Sequence, residues 1–463
     1  MDFDILVNNY KDEIIRSTQE LVRIKSVEEE KTSENAPFGD GVRKALDNVI
    51  KLCSDLGFKV EDFDGYAAHA DLGDQEETVG VLAHIDVVPE GDGWKYPPYA
   101  AEIHDGKIYG RGTMDDKGPA IAVVYAMKIL KDLDVKLSRK IRIIFGANEE
   151  TGWKCMDHYF SIVEPPTMAF TPDANFPVIY GEKGILVFDL EKEITSNDGK
   201  VKVISLKGGN APNMVPDLAV VELELMEGNS AVEIVDKYID NGYDIEYSIE
   251  GSIMTIKANG ISAHGSTPEV GKNAISYLLE VLEDILEDGN SFKEFAKFCN
   301  EKIGFNVNGE NIGCGLEDDI SGKLNFNVGV IKVEDEKIIL TSNIRYPIKS
   351  SEEEVYSGIN SSISGLGIKL IKRSSQEPLY VPEDNFLVEQ LMNVYREETN
   401  DESSKPITIG GGTYARAIDN AVAFGPVFPG QVELAHQKNE FIEIDHLLKL
   451  VTIYTKALYN LAK

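Results

Sequence analysis

The sequence predicts an α/β protein: a split domain with a mainly parallel sheet and helices on both faces, interrupted by an inserted α+β domain of two similar halves. Three observations carry that expectation. Short apolar runs at 79–83, 141–145 and 167–170 alternate with helical stretches, the pattern of buried parallel strands. Each run empties into His or acidic residues, and the carboxyl edge of an open α/β sheet is where such folds build their sites. From about Pro177 the texture turns to strands with few helices, and from Phe386 the first texture returns. The boundaries implied are 1–177 and 384–463 for the split domain and 178–383 for the insertion.

Taken in order, residues 4–25 carry helical periodicity, as do 42–56, which Gly57 ends before a strand at 58–63. The stretch 79–86, VGVLAHID, reads as a buried strand whose alternation puts His84 and Asp86 on one face near its end. The loop that follows holds a hairpin, AEIHDGKIYG, turning at Asp105-Gly106. It runs through Asp115-Asp116 into a helix at 120–130 with Pro119 at its start. In the insertion, helices are expected at 231–241, 269–286 and 291–303, then strand, strand, helix and strand at 323–333, 337–346, 352–363 and 368–373. A helix at 386–397, a glycine loop at 410–412, a strand at 421–427, a loop holding His436 and a helix at 444–461 complete the chain.

Composition excludes several classes of function. The 463 residues are 42% hydrophobic and 27% charged, ordinary for a globular protein of two or more domains. The net charge of −33 is spread along the chain and repels nucleic acid and anionic membranes. Cys53, Cys155, Cys299 and Cys314 form no disulfide-like framework. The start, MDFDILVNNYKDE, lacks the pattern of a signal peptide, and no apolar run reaches membrane-spanning length. A cytoplasmic location is the expectation.

Chemistry enters through the strand ends. His84 with Asp86 suits a metal-ligating imidazole and its orienting carboxylate, although a pattern so short and common, taken alone, better fits a core histidine paired with a strand-end Asp. Asp115-Asp116 stands before a helix, where an Asp is most often a cap. Glu149-Glu150 follows the second apolar run and Asp173 the third. Three acidic or His-bearing endings on one sheet edge are what a metal site needs. His69, His104, His158 and His446 have no motif around them and read as structural or surface residues.

The motifs AHIDVVPEGDGW, YGRGTMDDKGP, ANEETG, FTPDA, NGISAHGSTPEVGKNA and ELAHQKNEFI, in this order, resemble the dinuclear zinc peptidase family of aminoacylase, glutamate carboxypeptidase and carnosinase. Within it the chain is most similar to bacterial dipeptidases of the dipeptidase V (Xaa-His dipeptidase) kind. The resemblance implies a catalytic domain at 1–177 and 384–463 with a lid at 178–383. It also implies two divalent ions, Zn²⁺ with Mn²⁺ or Co²⁺ as alternatives, sharing a hydroxide. Asp115 would bridge them, His84 and Asp173 completing one site and Glu150 and His436 the other, with Asp86 orienting His84. Glu149 would be the general base and His264, from the lid, the oxyanion donor. Asn213 and Arg345 would hold substrate, helped by backbone N–H groups at Gly410 and Gly411. A cis Asp115–Asp116 peptide bond is implied as well.

The activity implied is hydrolysis of dipeptides with a free amino terminus, by a monomer, with no nucleic-acid or membrane partner. Deacylation of N-acyl amino acids or of succinyl-diaminopimelate is the alternative within the same chemistry. A non-catalytic metal or peptide binding protein is the alternative outside it.

Overall fold

The computed structural model describes residues 3–463, and the chain divides into two compact units. The first is the chain up to Tyr180 with Tyr380–Ile407 and Thr413–Lys463; the second is Gly181–Leu379 with Thr408–Gly412.

The first unit opens with α1 (Phe3–Asn9) and α2 (Lys11–Val22), two helices where the periodicity suggested one. The break at Tyr10 follows Asn8 and Asn9, both weak helix formers. In α3 (Asp40–Asp55), Val42, Ala45, Leu46, Val49 and Cys53 make one buried stripe. Then come β1 (Lys59–Phe63), β2 (Ala67–Leu72) and β3 (Thr78–His84), every residue of β3 being buried. The expected hairpin is β4 (Glu102–His104) and β5 (Lys107–Tyr109), turning through Asp105 at φ 50° and Gly106 at φ 74°. Two left-handed residues in a two-residue loop match the right-handed twist of the paired strands. After α4 (Lys117–Asp132) follow β6 (Lys140–Gly146), α5 (Lys154–Phe160) and β7 (Met168–Thr171).

The sheet runs β1-β2-β6-β3-β7 and continues to Ala421–Ala423. Its centre, from β6 through β3 and β7 to Ala421–Ala423, is parallel; β1 and β2 are added antiparallel at one side. α4 and the closing helix Ile444–Ala462 pack on each other and against β3 and β6, which explains why both are apolar over most of their surface. The strand expected at 421–427 stops at Ala423. Pro426–Val427, after a cis Gly425–Pro426 bond, pairs separately with Ala174–Asn175, because a proline cannot donate to a central ladder.

The second unit is built on one antiparallel sheet of eight strands. Its first half runs Ile245–Glu250, Ile253–Asn259, Leu218–Leu225, Val201–Gly208; its second runs Asn325–Glu334, Lys337–Tyr346, Gly184–Glu193, Ile368–Gln376. The halves join through a short pairing of Lys207 and Gly208 with Lys332 and Ile331. Helices α6 (Ala231–Asp240), α7 (Ala274–Ile285), α8 (Ser291–Lys302) and α9 (Glu352–Ile363) share its core, where Phe188, Leu223, Met254, Leu282, Phe295 and Ile359 are buried together. Helix α7 starts at Ala274, not near 269, because the Asn273 side chain accepts hydrogen bonds from Ile275 N and Ser276 N. Pro268–Val270 forms a separate 3-10 turn before it.

All four cysteines are buried and free. Among the described residues no helix is long and apolar enough to cross a membrane.

A buried polar knot fastens β2 to β6. Arg142 donates from Nε and from a terminal nitrogen to the two oxygens of Asp71, both at 2.7 Å, and His69 Nδ1 meets the Tyr159 hydroxyl at 2.8 Å. Burial, helped by the Arg142 charge, pushes the His69 imidazole down to about 4. Unfolding returns it to about 6.5, so the unfolded chain binds the extra proton between those values. Stability held above pH 6.5 is therefore lost as pH falls towards 4. Thermal unfolding should show a lower midpoint at pH 5 than at pH 7, and His69→Gln should shrink that drop; an unchanged drop counts against the assignment.

Candidate metal centre

Seven of the residues singled out from the sequence lie in the first unit, and they converge. His84 closes β3 with its Nε2 2.9 Å from Asp115 Oδ1 and 3.5 Å from Asp173 Oδ2. His436 Nε2 stands 3.1 Å from Asp115 Oδ2 and 3.0 Å from Glu150 Oε2. Asp115 thus turns one oxygen to each imidazole. Ligand atoms of His84, Glu149 and Asp173 lie within 4.8 Å of one another, as do those of His84, Asp115 and Glu150.

Each element positions its side chain for a local reason. His84 Nδ1 donates to the Asp86 backbone carbonyl at 3.0 Å, which fixes the ring and leaves Nε2 directed at the carboxylates. The Asp86 carboxylate does something the sequence did not suggest. Its Oδ1 is 3.6 Å from His84 Nδ1, while its two oxygens accept Glu149 N at 3.0 Å and Glu150 N at 3.1 Å. The strand ends at His84, so alternation no longer governs Asp86, and its carboxylate holds the Glu149-Glu150 turn after β6. The Trp153 indole donates to Glu149 Oε1 at 3.1 Å and its ring packs on Tyr414, which packs on His84. Gly146 makes room for that arrangement, since a Cβ there would sit 2.3 Å from the Tyr414 hydroxyl oxygen.

Asp115 comes from the loop before α4, and the Asp115–Asp116 peptide bond is cis, as the resemblance implies. Asp116 Oδ2 accepts His84 N at 3.2 Å. Asp173 follows β7, and Ala174 N donates to Gly425 O at 2.6 Å. His436 rides on the loop before the closing helix, and that loop is tied to the Asp115 loop by Glu440. Glu440, Arg111, Trp153 and Tyr414 were missed from sequence. Glu440 and Arg111 stand inside the quoted motifs, and Trp153 is one of only two tryptophans, so the signals were position and rarity.

The electrostatics test whether cations suit this set. Both nitrogens of His84 face acceptors only, and Nε2 of His436 faces two carboxylates. Burial would depress His84, but Asp115, Asp173 and Asp86 reverse that and raise it well above its ordinary value. Hydrogen bonds to Asp115 and Glu150 raise His436 to about 11. Burial raises Glu149, Glu150 and Asp173, and neighbouring carboxylates add to it, carrying Glu150 to about 7. Asp115 goes the other way: its two imidazole partners outweigh burial and lower it. Negative charge is in excess at both imidazoles. Donor atoms separated by 2.9–3.5 Å also match the edge of a tetrahedron with ligand bonds of 2.0–2.1 Å, roughly 3.3 Å. The donor set, carboxylates and imidazoles with negative charge in excess, suits divalent cations.

The other singled-out residues belong to the second unit, and four of them meet there. Met214 pairs with His264, and Gly265 N donates to Asn213 O at 2.7 Å. A Cβ on Gly410 would stand 2.8 Å from Ser266 Cβ and 3.7 Å from Arg345 Cγ. His264 Nδ1 accepts Ser266 N at 3.2 Å and meets its hydroxyl at 2.6 Å, an arrangement that puts the imidazole proton on Nε2. Arg345 is buried and donates from Nε to Asn343 Oδ1 at 3.0 Å. Gly411 follows Gly410, where a Cβ would lie 3.3 Å from Ile409 Cδ1. His69, His104, His158 and His446 take no part in the cluster: they bond to Tyr159, Glu102, Asp64 and the Pro426 carbonyl.

Residues 80–460 match the model of peptidase family M20/M25/M40. The Bacillus subtilis (strain 168) protein YtjP, provisionally named a dipeptidase, is 40% identical over 472 residues, covering 100% of both chains. A Staphylococcus aureus (strain MRSA252) protein with the same provisional label is 38% identical over 462 residues, 98% of each. Among solved structures, human carnosine dipeptidase 1 matches with a TM-score of 0.55 at 16% identity, covering 99% of this chain and 98% of that one. The aminoacylhistidine dipeptidase of Vibrio alginolyticus matches with a TM-score of 0.57 at 15% identity, covering 97% and 96%. These two bear on the fold, which in such proteins is a catalytic domain with a lid domain. The chain belongs to peptidase family M20/M25/M40, a family of metal-dependent peptide-bond hydrolases.

Proposed function

We propose that this protein hydrolyses dipeptides with a free amino terminus, using two divalent cations, Zn²⁺ before Mn²⁺ or Co²⁺. The observation that carries the reading is Asp115, with one oxygen 2.9 Å from His84 Nε2, which Asp173 also approaches, and the other 3.1 Å from His436 Nε2, which Glu150 also approaches. Asp115 would be shared by the two ions, His84 and Asp173 completing one set and His436 and Glu150 the other. When bound, the cations would supply Lewis acidity, making a water more acidic and drawing electrons from the scissile carbonyl.

The chain's own residues do the rest. Glu149 takes the proton from the attacking water and delivers it to the leaving amine nitrogen as the C–N bond breaks. Glu149 could instead be a third ligand beside His84 and Asp173. One feature favours the base: its Oε1 is engaged by the Trp153 indole, which holds the carboxylate in place. His264, with its proton on Nε2, donates to the oxyanion of the tetrahedral intermediate. Arg345, with Asn213 and the backbone of Gly410 and Gly411, binds the substrate carboxylate. We read the protein as a monomer acting in the cytoplasm on small peptides.

Glu149→Ala should lower turnover by about 10²- to 10⁴-fold while two metal equivalents stay bound, as read by metal analysis and dipeptide hydrolysis; near-normal turnover would remove Glu149 as the base. Across a panel of dipeptides, tripeptides and N-acetylated amino acids, metal-reloaded enzyme should cleave only the first group, and efficient deacylation would replace the dipeptidase reading. Trp153→Phe removes one hydrogen bond to a carboxylate, worth about 1.5–3 kcal/mol. It should cut kcat by about tenfold or more with KM unchanged, whereas a change confined to KM would mean that Trp153 serves binding.

A further inference from the structure

We propose that the buried Arg111–Glu440 pair is the positioning device that sets His436 against Asp115 and so completes the second cation site. The proposal rests on the reading that His436, Asp115 and Glu150 hold a cation. Glu440 is not itself a ligand: its oxygens are spent elsewhere.

Glu440 lies four residues after His436 and is 0% exposed. Its Oε2 accepts Gly112 N at 3.0 Å and an Arg111 terminal nitrogen at 2.8 Å; its Oε1 accepts Met114 N at 2.8 Å and Asp115 N at 3.3 Å. Its backbone carbonyl accepts Gly110 N at 3.0 Å. One residue therefore receives five donors from the six positions 110–115, the last of them Asp115 itself. Arg111 works outward from the same point. The nitrogen that meets Glu440 also donates to Gln437 O at 3.1 Å, next to His436, and its other terminal nitrogen reaches Pro89 O at 3.4 Å, beyond the strand that carries His84. Its guanidinium sits over the Trp94 ring, 5.3 Å from the centroid. The loops after β3, before α4 and before the closing helix are thus joined at one ion pair.

The need for such a device is greatest at His436. His84 ends β3, and Glu150 and Asp173 stand shortly beyond β6 and β7, whereas His436 lies on a loop, with its side chain 53% exposed and φ 62°; Asp115, also on a loop, is held by Glu440 itself. A ligand on a loop loses orientational entropy when a cation captures it, and that cost falls if the loop is already fixed. A carboxylate accepting four hydrogen bonds, one from a guanidinium, fixes it strongly. Partners of this kind alter metal affinity by about 10- to 100-fold in metal sites generally. The pair should act mainly on the affinity of the His436 site, with a smaller effect on the His84 site, which shares Asp115.

The experiment is titration of metal-free protein with Co²⁺ followed by visible absorption, with Zn²⁺ calorimetry for the affinities and thermal unfolding of the metal-free form as the check on fold. Glu440→Gln keeps the volume but replaces one acceptor oxygen with a donor; Arg111→Lys keeps the charge but loses the fork. Wild type should take up two equivalents. In both variants the second equivalent should bind about 10- to 100-fold more weakly and the first should weaken clearly less, with kcat recovering in excess metal at unchanged KM. Arg111→Lys carries the test if Glu440→Gln does not fold. Two equivalents bound with wild-type affinities in the variants would overturn the proposal. So would an equal loss of both, with a collapse in metal-free stability, which would make the pair merely structural. A wild type that binds fewer than two equivalents would overturn the two-cation reading beneath it, a failure visible before any variant is made.

Discussion

Packing carboxylates against one another away from water is the constraint on which this structure turns. Asp115, Asp173, Glu149 and Glu150 surround two imidazoles; burial and neighbouring carboxylates make Asp173, Glu149 and Glu150 harder to ionise, while the imidazoles keep Asp115 charged. Such a cluster is costly unless positive charge and hydrogen-bond donors are fixed around it. The first unit supplies the donors from its backbone. Asp86 gathers the N–H groups of Glu149 and Glu150, Glu440 those of Gly112, Met114 and Asp115, and Asp116 that of His84. The acids that take these N–H groups surround the acids that face the imidazoles. That is why the motifs are denser in Asp and Glu than any ligand set requires.

Strands and loops contribute differently to this arrangement. β3, β6 and β7 are buried neighbours in a parallel sheet, so their ends are fixed by ladders that the whole core stabilises. Asp115 and His436 come from loops, and their positions depend on contacts across long stretches of sequence. The second unit shows the same division. Arg345 sits on a central strand, Lys337–Tyr346, with Asn343 beside it, while His264 rides on a loop held by Ser266 and Asn213.

Much of this was legible in the residues. The strands that carry His84, Glu149-Glu150 and Asp173 were readable because continuous apolar runs ending in Gly or Asp have few other solutions. The Asp105-Gly106 turn was readable because two consecutive left-handed residues almost dictate that pair. What escaped depends on partners distant in sequence. Nothing local marks Glu440 as the acceptor for residues 112–115, or Trp153 as the donor to Glu149. The second role of Asp86, as acceptor for the N–H groups of Glu149 and Glu150, was not legible because those residues lie some sixty positions away in sequence. The start of α7 was set too early because Asn273, a capping residue, lay inside an otherwise helical pattern.

The discontinuity of the first unit has a consequence for the order in which the protein can assemble on the ribosome. Domains generally fold as units while the chain emerges from its amino end. Most of the second unit is one uninterrupted stretch, Gly181–Leu379, and can condense as soon as it is made. The first unit must wait: the strand Ala421–Ala423, next to β7, and the helix Ile444–Ala462, against β3 and β6, are among the last parts synthesised. His84, Asp115, Glu150 and Asp173 therefore spend most of translation without His436 and without the helix that seals their sheet. Until the carboxyl-terminal segment docks, the cluster lacks His436 and the Glu440 acceptor that holds the Asp115 loop, so the site is completed last.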